Sequence, residues 1–200
     1  MRSHLRITMW FVLGFMLMGS CALTGVFAQS AGADKAPAGW LLAGSKPGNY
    51  KTGVDSQMAY EGGPSAYLAA RVPDTGGFGT LMQYFSAGQY AGKRVRLRAR
   101  VRSENVSEWA GLWMRVDKGS ASIAFDNMES RAIKGSTGWT SYDVVLDVPK
   151  DATNVSIGVL LTGPGEVWMN CVKFEAVGQD VPVTGAPSEA SGPVNLDFQK

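Results

Sequence analysis

The chain has 200 residues, a formal net charge of +2, 45% hydrophobic and 18% charged residues, one histidine and two cysteines. That balance supports a folded core and excludes both a disordered polyelectrolyte and a strongly basic nucleic-acid binder. So few imidazoles and thiols also leave little for histidine-based catalysis or zinc.

The chain opens with a basic segment, MRSHLR, followed by an apolar run from Ile7 to Ala28. This order reads as an export signal (residues 1–28), with cleavage expected after Ala28, where Val26-Phe27-Ala28 offers compact residues before Gln29. Two alternatives stay open. Uncut, the run is long enough to act as an N-terminal membrane anchor. Leu17-Met18-Gly19-Ser20-Cys21 is also a lipoprotein box, with methionine where leucine is usual, so Cys21 is a candidate lipid attachment point.

Cleavage removes His4 and Cys21 together with Arg2 and Arg6, leaving 17 of the 19 basic residues against 17 acidic ones. A chain without histidine has no Ser-His-Asp triad, no Cys-His dyad and no histidine metal site. Cys171, then alone, cannot form an internal disulfide, and it is expected to be packed as a small hydrophobe.

Residues 29–38 are small, polar and proline-containing and read as a flexible leader; residues 39–177 form one domain. Within it apolar residues recur with period two, predicting strands at 52–58, 66–72, 78–86, 94–103, 110–117, 122–126, 141–148, 155–161 and 167–176. Turn sequences such as PDTGG, DKGS, KGSTG and TGPGE separate them. Helices are scarce and no repeat is visible. Many short strands predict an all-β antiparallel sandwich or barrel. Residues 178–200, rich in Pro, Gly, Ser and Thr, read as a flexible, linker-like tail.

In KRVRLRARVR (93–102) arginine stands at every second position from Arg94 to Arg102. Strand alternation sends Val95, Leu97, Ala99 and Val101 into the core and all five guanidinium groups to the other face. Ser141–Val148 shows the opposite charge, with Asp143 and Asp147 outward. If the two strands share a sheet, cross-strand Arg–Asp pairs are expected. A ligand face using Arg96, Arg98 and Arg100 is the alternative. A neutral, exported domain is not expected to bind nucleic acid.

EWAGLWMRVD (108–117) places Ala110, Leu112, Met114 and Val116 on one side and Trp109, Gly111, Trp113 and Arg115 on the other. Indoles beside a guanidinium suit a sugar, whose rings offer apolar C–H faces rimmed by hydroxyls; one of the two indoles also caps the core edge if tryptophan follows its usual burial. AFDNMESR (124–131) adds Asp126 and Asn127, able to bind hydroxyls, coordinate calcium or hold a turn. Gln83 lies in FGTLMQYF, where either face can be core.

The runs GWLLAGSKPGNYKTGVD, SAYL, GFGTLMQYF, WAGLWMRVD, AFDNM and VWMNCVKFE together resemble an uncharacterised type of galactose-binding-like, carbohydrate-binding-module-like jelly-roll domain. Similar modules are fused to arabinose-regulator-type transcription factors and to secreted processing peptidases. The resemblance covers residues 39–177. It implies a two-sheet jelly-roll β-sandwich with a concave binding face and, in many such modules, a structural calcium. Asn170-Cys171 stands where those modules commonly carry two adjacent aspartates, which counts against a calcium site of that kind; no other metal or cofactor is expected. PVNLDF in the tail is similar to a segment bordering such modules.

The resulting expectation is an exported, non-catalytic binding module, periplasmic or secreted, for a carbohydrate or cell-envelope polymer. Its candidate ligand-binding residues are Trp109, Trp113, Arg115, Asp126, Asn127 and Arg98. Loss of an indole is expected to abolish binding and leave the fold intact. The alternative is an envelope structural or interaction protein that binds a protein partner. A carboxylate-only glycosidase would need a positioned pair of acids, and the sequence singles out none.

Overall fold

The computed structural model describes residues 34–185. The expected signal peptide, Cys21, residues 29–33 of the leader and the tail from residue 186 lie outside the described residues. Nine strands follow in chain order: β1 Leu41–Gly44, β2 Tyr50–Tyr60, β3 Gly63–Ala70, β4 Phe78–Ser86, β5 Lys93–Lys118, β6 Ala121–Asp126, β7 Ile133–Val148, β8 Asn154–Thr162 and β9 Glu166–Val177. Every pairing is antiparallel.

The long strand β5 belongs to both layers of the sandwich. Its first part pairs with β9 through Arg94–Glu104 and with β7. Its second part pairs with β8 through Trp109–Asp117 and with β6. One layer is therefore β1-β4-β8-β5-β6, and the other β2-β3-β9-β5-β7. The two strands expected at 94–103 and 110–117 are thus one strand, which bends where Asn105 takes a left-handed conformation (φ 51°) and the pairing with β7 shifts register. Strand β7 starts eight residues before the expected Ser141, because Lys134–Gly138, read as a turn, pairs loosely with the bend of β5.

The core lies between the layers. Val95, Leu97, Ala99 and Val101 fill it from one layer; Leu81, Leu112, Met114, Val116, Ile157 and Leu161 fill it from the other. Those on β5 are the inward positions expected from alternation, and each large aliphatic side chain contributes about 1.5–3 kcal/mol by leaving water. The result is an all-β jelly-roll sandwich.

On the opposite face of the arginine strand the register sets the ion pairs. Arg94 lies across from Asp147 and Arg98 from Asp143 on β7, while Arg96 lies across from Glu175 on β9. Arg94 Nε donates to Asp147 at 2.8 Å, Arg98 Nε to Asp143 at 2.6 Å, and Arg96 Nε to Glu175 at 3.1 Å. The expected cross-strand Arg–Asp pairs are present, and Arg98 is held in one of them. Because both partners keep much of their surface in water, Arg98→Met is expected to change the unfolding free energy by about 1 kcal/mol or less in urea denaturation.

The start of the expected tail is tied to the sandwich. Thr184 N–H donates to Val145 O, and Val145 N–H donates to Thr184 Oγ1. The Thr184 hydroxyl in turn reaches Asp126 Oδ2 at 2.6 Å.

Candidate functional site

Each strand of the β1-β4-β8-β5-β6 layer turns alternate residues outward, and the registers align them in rows across the sheet. Phe78 (β4), Thr162 (β8) and Trp109 (β5) form one row; Ala43, Thr80, Leu160 and Gly111 form the next. Met82, Gly158 and Trp113 follow, then Tyr84, Ser156, Arg115 and Phe125. All of these but Gly111, Gly158, Tyr84 and Ser156 line a cleft of about 420 Å3 to which Asn127 also contributes.

Two glycines shape this face. A Cβ on Gly158 would fall 2.8 Å from Trp113 Nε1 and 3.0 Å from Met82 Cβ, so the missing side chain lets the Trp113 indole lie across β8. The Trp113 N–H donates to Thr80 Oγ1 at 2.7 Å, and that hydroxyl donates to Val159 O at 2.8 Å. Trp113 is only 7% exposed: it is the floor of the cleft, with its polar atom already satisfied. A Cβ on Gly111 would fall 2.7 Å from Asn127 O and 2.9 Å from Met128 Cβ, so the loop after β6 settles onto Gly111. That contact brings Asn127 beside the half-buried Trp109.

The walls are apolar and open. Phe78 and Phe125 are exposed, and outside the cleft Tyr84 stands in the row of Arg115 with 65% of its surface in water. These side chains form an exposed apolar patch on the wet face of the sheet. Polar groups are few. Arg115 Nε donates to Asp117 Oδ2 at 3.1 Å, which fixes the guanidinium, while its terminal nitrogens donate to no group among the described residues. Asn127 Oδ1 accepts the Glu129 N–H, so its amide N–H groups remain for a ligand. The lining residues include no carboxylate or imidazole.

Of the six residues singled out in the sequence, four come together here: Trp109, Trp113, Arg115 and Asn127. Asp126 faces the interior side of β6, with its side chain 2% exposed. It accepts from Arg131 Nη2 at 2.6 Å, from the Met128 N–H at 2.8 Å and from the Thr184 hydroxyl. Burial alone pushes its carboxyl up, but the Arg131, Thr184 and Met128 bonds outweigh burial and hold it below the usual carboxylate value. Asp126 thus anchors the β6 loop and residue 184 rather than lining the cleft. Arg98 lies on the other layer, engaged by Asp143.

Phe78, Phe125, Thr80 and Met82 were not singled out. Their signal in the sequence is faint: β4 and β6 carry large apolar side chains on both faces, as β5 does at Trp109–Met114. Gln83 projects into a different opening, about 740 Å3 between the two layers, beside Phe85, Tyr90 and Phe174.

Cys171 corrects an expectation. It is exposed, not packed, and takes a left-handed conformation (φ 49°) at a bulge where β9 spends an extra residue against β5. Beside it, Asn170 Nδ2 points at three oxygens, Gly63 O at 3.1 Å, Pro64 O at 3.0 Å and Ser65 Oγ at 3.0 Å. The amide nitrogen occupies the centre of this oxygen set as a donor. A calcium ion held there by an aspartate does not fit these residues. Among the described residues no three His, Cys, Asp or Glu side chains gather into a metal site.

No protein-family model matches the chain. In sequence it is similar to the protein named uncharacterized HTH-type transcriptional regulator YbfP of Bacillus subtilis (strain 168), 44% identical over 172 residues. The match covers 84% of this chain and 58% of YbfP, so the chain spans less than two thirds of that relative. In structure it is similar to the C-terminal family 22 carbohydrate-binding module of Clostridium thermocellum Xyn10B. That match has 15% identity and a TM-score of 0.51, and covers 74% of this chain and 91% of the module. It is also similar to the cyclase Fisc of Fischerella sp. TAU, with 14% identity, a TM-score of 0.52, and coverage of 76% and 92%. At such identities the likeness is one of fold, and a fold that carries binding modules and cyclases alike leaves function to be argued from the site.

Proposed function

We propose that the outer face of the β1-β4-β8-β5-β6 layer binds a carbohydrate, and that the chain works as an exported, non-catalytic binding module. The observation that carries this reading is the open aromatic cleft, with Trp109, Phe78 and Phe125 as walls and Arg115 and Asn127 as the free hydrogen-bonding groups. Aromatic faces meet the C–H faces of a pyranose, and a fixed guanidinium makes paired bonds to its hydroxyls. The likeness to a family 22 carbohydrate-binding module, whose cleft residues are tied to ligand binding, supports the same reading. Export rests on the N-terminal sequence, with cleavage after Ala28, or retention by an anchor or by lipid on Cys21.

Affinity electrophoresis of the chain in gels containing xylan, galactan, mannan or glucan tests the reading. At least one polymer is expected to retard the protein, with retardation lost in Trp109→Ala and kept in Arg98→Met. Retardation by none, or equal retardation of Trp109→Ala, contradicts it. Exposed Phe78, Tyr84, Ile123 and Phe125 also favour a second reading, a protein partner on the same face. Crosslinking at Phe125 that captures a protein in place of a glycan would select it.

A further inference from the structure

The arginine strand is compensated charge by charge, with one exception. Arg94, Arg96, Arg98 and Arg102 pair with Asp147, Glu175, Asp143 and Glu104. At Arg100 the register supplies Ser141 on one side and Asn170 on the other, neither of them charged. No carboxylate among the described residues pairs with Arg100; its guanidinium rests over the Tyr60 ring, 5.4 Å from the centroid. The neighbouring row sets Arg98 directly opposite Lys173, two cations with Asp143 as the one paired carboxylate. Like charges facing each other across strands are destabilising; Glu175, paired with Arg96, stands near both Arg98 and Lys173 and offsets part of this repulsion, and an external anion would relieve the rest. The β9 bulge at Cys171 and the turn at Glu61 open a depression of about 290 Å3 at this point, floored by Arg98, Arg100 and Lys173.

We infer that this depression is a second binding site, on the layer opposite the aromatic cleft, for an oxyanion such as a carboxylate or a phosphate or sulfate ester. Arg100 supplies an unoccupied guanidinium fork, held by Tyr60, and Lys173 supplies a second positive charge. Glu61 lines the rim and opposes the anion. This site stands independently of the carbohydrate reading of the other face.

Cys171 lines the depression and provides the readout. Its alkylation by neutral iodoacetamide, followed by site-resolved mass spectrometry on the full chain, is measured with glucuronate, phosphate, sulfate or chloride at matched ionic strength. Glucuronate, or phosphate and sulfate, is expected to slow alkylation saturably where chloride does not, and the more protective anion identifies the source chemistry. Arg100→Gln is expected to weaken protection about tenfold, as loss of one charge-assisted contact would, and Glu61→Gln to strengthen it. Glu61 is exposed and Arg100 half-buried, and circular dichroism confirms that the variants fold. Protection equal to that by chloride, or protection unchanged in Arg100→Gln, overturns the inference.

Discussion

Replacing Trp113 by alanine is expected to cost about 3–5 kcal/mol of folding stability, the range of large aromatic deletions from a core. Against a total of about 5–15 kcal/mol for a domain, that loss takes from about a fifth of the stability to nearly all of it. The indole is 7% exposed, lies over Gly158, and gives its N–H to Thr80. Trp109→Ala, at a half-buried position on the same strand face, is expected to cost about 1–2 kcal/mol, in proportion to the smaller area it covers. Urea denaturation of the two variants side by side checks the contrast. Equal, small losses would mean that Trp113 is not the floor described here. It follows that the expectation of losing an indole without harming the fold applies to Trp109 and not to Trp113.

The second large effect is expected at Asp126. Removing a buried partner from an ion pair leaves an uncompensated charge, commonly at a cost of about 3–5 kcal/mol. Because Arg131 keeps about a third of its side chain in water, Asp126→Ala is expected to cost somewhat less, about 2–4 kcal/mol at neutral pH. The change also removes the closer of the Thr184 hydroxyl's two acceptors, so amide exchange at Val145 and Thr184 is expected to accelerate. The pH dependence has a definite sign. A carboxyl held below its unfolded value of about 3.9 contributes stability that is present above that value and lost as pH falls through the lower folded value. The stability gap between the wild type and Asp126→Ala is therefore expected to narrow below about pH 4. A gap constant from pH 7 to pH 3 would show that the Asp126 charge is not what Arg131 and Thr184 hold.

Period-two alternation made much of the fold legible, because an antiparallel strand with one buried face writes that face into every second residue. Val95 to Val101 and Ala110 to Val116 were readable in this way, as was the chance of Arg–Asp pairs if the two strands met; which arginine faces which aspartate came only with the register. Strand β1 was not, since Leu41–Gly44 is only four residues long, ends in glycine and has no alternation. The continuity of β5 was hidden by Asn105, whose left-handed backbone reads as a turn although pairing resumes on both sides.

The site was legible as a face but not as a cleft. Alternation places Trp109, Trp113 and Arg115 together, yet only the sheet register brings Phe78, Thr80 and Phe125 alongside them. Asp126 and Asn127 are neighbours in sequence and point to opposite sides of β6, one into the interior and one to the cleft. Cys171 was misjudged because burial statistics for cysteine know nothing of a β-bulge that turns one residue outward.

The most direct measurement is residue-resolved chemical-shift mapping of the full chain titrated with oligosaccharides of the most strongly retarding polymer. Saturable shifts are expected at the Trp109 indole N–H, the Arg115 side chain, the Asn127 amide and Phe125, with Arg98 and Trp168 on the other layer unmoved. Saturable shifts confined to the Arg98–Arg100 face or to the opening around Phe85 and Phe174, with Trp109 silent, would contradict the account.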